Sequence, residues 1–129
     1  PARVADVRQR LGRTVIKALG IGTDEDAAAA RAYAGTADLL LYDAKPPKDA
    51  TRPGGLGVTF DWSLLAGVPT PFLLSGGLDP TNVDDAVRRV HPSGVDVSSG
   101  VESAPGQKNE ARIRAFVAAA RAANEEGRR

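Results

Sequence analysis

The chain has 129 residues, of which 42% are hydrophobic and 26% charged, and its formal net charge is +1. That length predicts one soluble globular domain, and the near-neutral balance gives no electrostatic reason to expect nucleic acid or an anionic membrane as partner. Zero cysteines exclude disulfides, thiolate catalysis and Cys-based zinc sites within this chain, and the single His91 cannot build a histidine metal cluster.

The elements follow in chain order. The chain opens at Pro1 without Met, as a processed, cleaved or truncated product would. Val4, Val7 and Leu11 recur at helical spacing, so residues 2–11 read as an amphipathic helix stopped by Gly12. Thr14–Ile21 is apolar and β-branched at its start and reads as a buried strand. Thr23 followed by Asp24, Glu25 and Asp26 is an N-cap with acidic first-turn residues, and the alanine-rich run to Ala34 is the helix. Asp38–Asp43 is the second strand, and Ala44–Thr59 is a long loop rich in Pro and Gly. Phe60–Ala66 is a short helix, with Trp62 as its packing anchor, and Thr70–Ser75 is the third strand. Asp79 is expected to cap the next helix with Pro80 at its first position, Val83, Val87 and Val90 forming its buried stripe and His91 following at the surface. Val95–Ser98 is the fourth strand. The last helix starts near Asn109 and is expected to bury Ile113, Phe116, Val117 and Ala120, with a frayed polar tail over Asn124–Arg129.

A helix followed by four strand–helix units predicts an α/β fold with a parallel sheet covered on both faces. Four units fill roughly 115 residues, so eight would need about 230, close to the usual size of a (β/α)8 barrel. An open doubly wound sheet would carry its glycine fingerprint after the first strand. There, Gly20-Ile21-Gly22-Thr23 lacks the third glycine. The glycine-bearing turns are instead the last two, in Pro71–Leu78 (PFLLSGGL) and Gly94–Glu102 (GVDVSSGVE). That favours the C-terminal half of a barrel.

Those two turns supply the first site candidates. Ser75, Gly76, Gly77, Ser99 and Gly100 would form a cup of backbone N–H groups at the carboxyl ends of neighbouring strands, suited to a phosphate. Asp43 ends an apolar strand at the same face, either as a general acid with a raised pKa or as a turn cap. Asp96 lies inside the fourth strand by this reading, where a substrate hydroxyl or the protein's own donors would satisfy it. The loop Arg52–Phe60 carries glycines that allow closure over a substrate, but it is neither a Walker motif nor a dinucleotide fingerprint. Lys17 and Lys45 are possible charge donors, although surface lysines are the default reading.

The stretches Leu39–Lys45 (LLLYDAK), Gly54–Leu65 (GGLGVTFDWSLL), Phe72–Asn82 (FLLSGGLDPTN) and Val95–Gly106 (VDVSSGVESAPG) resemble, in order and spacing, the C-terminal half of phosphoribosylanthranilate isomerase. The combination is specific, although Pro1–Ala34 resembles the family only loosely. The resemblance implies a (β/α)8 TIM barrel of tryptophan biosynthesis, with residues 1–129 supplying the last four βα units of its single domain. It implies an Amadori rearrangement of N-(5-phosphoribosyl)anthranilate to 1-(2-carboxyphenylamino)-1-deoxyribulose 5-phosphate, without metal or cofactor. Asp43 matches the family's general acid, which protonates the ring oxygen. Gly76, Gly77, Ser99 and Gly100 match its phosphate turns, and Asp96 matches a substrate-contacting aspartate. Asn109 stands where many relatives carry Asp. The family's general base, a cysteine after the first strand, has no counterpart here, so the isolated chain is expected to be inactive.

A half-barrel leaves its outer strands, Thr14–Ile21 and Val95–Ser98, unpaired. The expected partners are therefore a phosphorylated small molecule and either the missing N-terminal half or a second copy of the chain. With no spanning, secretory or lipidation signal, a cytoplasmic location is expected. The competing reading is a non-catalytic phosphate-binding or assembly module.

Overall fold

A computed structural model describes residues 1–45, 59–69 and 71–127. The first helix, α1 (Ala2–Leu11), ends at Gly12, whose φ of 56° is the left-handed cap glycine adopts freely. Strand β1 (Ile16–Ile21) starts two residues later than expected, because the Asp38 carboxylate accepts the Val15 N–H at 2.8 Å ahead of it. Helix α2 (Asp24–Ala30) opens on a full capping box, Thr23 with Asp26. It stops at Ala30 rather than Ala34, tightening into a 3-10 turn over Arg31–Tyr33.

Strand β2 is Leu39–Ala44, and the predicted short helix is a 3-10 turn over Trp62–Leu65 whose Asp61 carboxylate accepts the Ser63 N–H. The predicted loop Ala44–Thr59, with its glycines, lies outside the described residues except at its ends. Strand β3 (Phe72–Leu74) leads into helix α3 (Val83–Val90). The expected helix start at Asp79 and Pro80 is wrong by about one turn. The Asp79 carboxylate instead accepts the backbone N–H and the hydroxyl of Thr81, both at 2.6 Å, closing a separate turn ahead of the helix. His91 takes the left-handed cap position of α3 at φ 50°.

Strand β4 is only Gly94–Val95, which corrects the expected Val95–Ser98 and puts Asp96 beyond the strand. A 3-10 turn over Ser99–Val101 follows, then an unforeseen hairpin of β5 (Glu102–Ala104) and β6 (Gln107–Lys108). Pro105-Gly106 at its tip, with Gly106 at φ 78°, was the available signal. Helix α4 (Glu110–Glu126) begins at the Asn109 cap and continues into the predicted tail as far as Glu126, where Arg88 pairs with Glu126 at 3.0 Å. Its buried residues are Phe116 and Ala123, whereas Ile113 and Val117 are each 40% exposed.

The four main strands are parallel, in the order β1-β2-β3-β4. Aligned residues project to the same face. One face carries Ile21, Leu40, Tyr42, Phe72 and Leu74, all buried beneath Ala27 and Ala30 of α2, Val83, Ala86 and Val87 of α3, and Phe116 and Ala123 of α4. The Tyr42 and Phe72 rings pack with centroids 5.0 Å apart, and the Tyr42 hydroxyl donates to the Pro69 carbonyl. Burial pushes that phenol up to about 12. The opposite face has no cover among the described residues: Ile16 and Ala18 are exposed, and Leu39, Leu41 and Leu73 are only half-buried. The expectation of two covered faces therefore holds for one face among the described residues. No helix among the described residues is long and apolar enough to cross a membrane.

Candidate functional site

The uncovered face becomes polar at the carboxyl ends of its strands. Register runs Ala18, Leu41, Leu73, Gly94 across the sheet, so two residues further on Gly20, Asp43, Ser75 and Asp96 form the next row. The ladder continues that far, because Ser75 N–H donates to the Tyr42 carbonyl and Asp96 N–H to the Leu74 carbonyl, each at 2.8 Å. Asp43, Ser75 and Asp96 thus share one edge of one face through alternation alone.

Asp43 is half-buried at the end of β2. Burial pushes its carboxyl above the ordinary carboxylate range; the Ala44 N–H works against this, and the nearby Asp96 carboxylate adds to it. A carboxyl that keeps its proton longer than usual has the property a general acid requires. Asp96 is exposed, and its carboxylate accepts the Ser75 hydroxyl at 2.9 Å. The alternative of a protein donor for Asp96 is therefore realised on one oxygen.

Ser75 itself is buried, with its N–H spent on Tyr42 and its hydroxyl on Asp96. It stands beside the expected cup with both its N–H and its hydroxyl hydrogen-bonded within the protein. Gly76 and Gly77 do have donors to offer. Both are left-handed, at φ 91° and 65°, and their N–H groups have no protein partner among the described residues. A Cβ on Gly76 would stand 2.7 Å from Asp43 Oδ1 and collide with the backbone of Ala44, so glycine lets this turn lie directly against the acid.

The second turn meets the first through Gly100. A Cβ there would overlap the carbonyl of Leu78, so only glycine permits the two turns to touch. Ser99 and Gly100 lie in the 3-10 turn after β4. Nothing in the sequence singled out Leu78 as their contact. Of the other candidates, Trp62 packs against the core as expected, although its indole N–H has no partner among the described residues. Lys17 lies over the Tyr33 ring at 5.7 Å. Lys45 is exposed but not idle. Its ammonium sits 2.7 Å from Asp26, joining the end of β2 to the start of α2, and holds that carboxyl below its usual range. The loop Arg52–Phe60 lies outside the described residues up to Val58.

A parallel α/β sheet that gathers its carboxylates and free glycine N–H groups at the strands' carboxyl ends belongs to the class of proteins that place small-molecule sites there. The family model described as N-(5'phosphoribosyl)anthranilate (PRA) isomerase matches residues 4–119, and the chain belongs to that family. It is 54% identical over 127 residues to the N-(5'-phosphoribosyl)anthranilate isomerase of Rhodopseudomonas palustris strain HaA2, covering 97% of this chain and 58% of that one. It is 57% identical over 123 residues to the corresponding Nitrobacter winogradskyi protein, covering 94% of this chain and 55% of the relative. Among solved structures, phosphoribosyl anthranilate isomerase from Thermotoga maritima superposes with a TM-score of 0.76 at 40% identity, over 90% of this chain and 56% of that one. An isomerase of the same name in complex with reduced 1-(o-carboxyphenylamino)-1-deoxyribulose 5-phosphate superposes at 0.74, with 33% identity, over 95% of this chain and 55% of that one. The chain thus spans a little over half the length of the relatives it matches.

Proposed function

We propose that this chain carries the general-acid and phosphate-binding half of a phosphoribosylanthranilate isomerase, supplying the last four βα units of a (β/α)8 barrel. The reaction is the rearrangement of N-(5-phosphoribosyl)anthranilate to 1-(2-carboxyphenylamino)-1-deoxyribulose 5-phosphate. The observation that carries the reading is Asp43, a carboxyl of raised pKa whose oxygen lies against the Gly76 turn. Asp43 gives its proton to the ribose ring oxygen as the C1–O bond breaks and the anilino nitrogen lone pair forms the C=N bond. Loss of the C2 proton to a base then yields an enolamine, which takes up a proton at C1 and gives up its enol O–H proton to become the C2 ketose. Gly76, Gly77, Ser99 and Gly100 hold the 5-phosphate through backbone N–H groups. Asp96, steadied on one oxygen by Ser75, offers the other to a substrate hydroxyl.

The family's cysteine base is not in this chain, which contains no cysteine. Catalysis by the chain alone is therefore not expected. The half-exposed apolar row of Ile16, Ala18, Leu39, Leu41 and Leu73 supports docking of the other half of the barrel on the open face. The test is fluorescence-monitored consumption of phosphoribosylanthranilate by the chain alone and with an added N-terminal half of the Rhodopseudomonas palustris relative. Turnover only in the mixture, lost in Asp43→Asn, is the expected result. Turnover by the chain alone would sink the division of acid and base, and inactivity of a folded mixture would sink the assignment. The lack of cysteine also favours the second reading, a non-catalytic phosphate-binding or assembly module. That reading predicts phosphate binding without turnover in either sample.

A further inference from the structure

We infer that Lys108 is a positioning residue for the second phosphate turn: its ammonium ties the two ends of the Ser99–Val101 turn together and fixes the backbone that Ser99 and Gly100 present to the anion. The inference rests on the phosphate reading of the glycine turns and adds to it a residue outside the turns.

An ammonium has three N–H donors and no acceptor. Lys108 Nζ donates to the Ser98 carbonyl at 2.8 Å, to the Ser98 hydroxyl at 3.3 Å and to Glu102 Oε1 at 2.6 Å. Ser98 immediately precedes the turn and Glu102 immediately follows it, so one side chain closes the segment into a ring. The ring is anchored further. Glu102 Oε2 accepts the Gly106 N–H at 3.1 Å, the Glu102 carbonyl accepts from Arg112 at 2.5 Å, and the Val101 carbonyl accepts the Asn109 N–H at 2.9 Å. The β5–β6 hairpin exists, in this view, to bring Lys108 back to the turn.

The opposite flank of the same turn is held by shape, with Gly100 seated on the Leu78 carbonyl. Lys108 supplies the ion pair that joins the two ends of the turn. The Glu102 side chain is only 14% exposed, so it relies on that ammonium, which holds its carboxyl below the usual range. Without Lys108 the Ser98 end of the turn loses its tie to Glu102, and a mostly buried carboxylate loses its counter-charge. Backbone donors bind an anion well only when they are already in place, since ordering them on binding costs affinity.

The experiment is a titration of the 15N-labelled chain with inorganic phosphate, following the amides of Gly76, Gly77, Ser99 and Gly100 well below the melting temperature. Saturable shifts are expected in the wild type. Lys108→Met is expected to weaken phosphate about tenfold, the scale of one lost charge-assisted hydrogen bond. Lys108→Arg should recover part of the loss, and Arg114→Met, removing an equal charge from the exposed face of α4, should change nothing. Glu102→Gln keeps an acceptor but removes the charge, and serves if Lys108→Met fails to fold; a loss of affinity there too is the supporting outcome. Wild-type affinity in the folded variants overturns the role of Lys108 alone. No saturable shift in the wild type overturns the phosphate reading and the inference with it.

Discussion

Asp43 is a carboxyl held where ionisation is costly, and that has a consequence for stability as well as for acid catalysis. Its pKa is raised in the folded state, chiefly by burial. Between the ordinary carboxylate value and that raised value the folded chain binds more protons than the unfolded one, so this residue's contribution to stability falls as pH rises through the window. Asp43→Asn should therefore raise the melting temperature at pH 7, give no gain at pH 3, and abolish turnover in the completed barrel. An equal melting temperature at pH 7 would contradict the burial argument. Asp26 and Glu102 have the opposite sign. Their lowered values add stability above the ordinary carboxylate range that is lost as pH falls through their folded pKa, modestly because the lysine partners are exposed and screened by solvent. At Gly100 the constraint is steric. Gly100→Ala must push the Leu78 carbonyl aside, and we expect a loss of about 1–3 kcal/mol in denaturant unfolding together with loss of phosphate binding. Asp43 and the glycines were legible in the sequence because strand ends and glycine turns are local patterns. The engagement of Ser75 with Asp96 was not, since it depends on which strand lies beside which.

Among elements, the long alanine-rich helix α4 shows how far periodicity reaches. Its cap at Asn109 and its helical character follow from local residues, and the predicted Phe116 is buried. The width of the buried stripe was overestimated. Ile113 and Val117 lie at its margin, while Ala123, small and unremarkable in sequence, sits at 1% exposure against the core. Phe116→Ala should cost about 3–5 kcal/mol and Val117→Ala well under half of that, measured by urea unfolding. Equal losses would restore the wider stripe. The missed start of α3 has the same origin. Asp79-Pro80 reads as a helix opening, but the Asn82 side chain is drawn to the Asp79 N–H at 2.9 Å and the Gly77 carbonyl at 3.0 Å, which makes residues 79–82 a turn that supports the glycines.

At the scale of the whole molecule, the sheet is finished on one side only. The row of Ile16, Ala18, Leu39, Leu41 and Leu73 has no cover within the described residues, and β1 and β4 are the outer strands of the order. Leu41→Asp places a charge in the middle of that row. It should leave the chain's own melting temperature nearly unchanged, because the side chain faces away from the helices, and it should abolish restoration of turnover by the N-terminal half. If light scattering shows the wild type to be a folded monomer in dilute solution and Leu41→Asp still supports turnover, the open face is not a docking surface. Self-association of the wild type that Leu41→Asp abolishes would point to a second copy as the occupant.

The sequence by itself determined the alternation of parallel strands and helices, the cap at Thr23, the glycine turns and the aspartate at the end of β2. These arise from residue spacing and backbone preference over a few neighbours. Only the tertiary structure decided that one sheet face has no cover among the described residues, that the Ser75 hydroxyl pairs with Asp96, and that Lys108 reaches back to close the turn at Ser98. Those depend on contacts between strands and turns far apart in the chain, where register and close packing choose the partner.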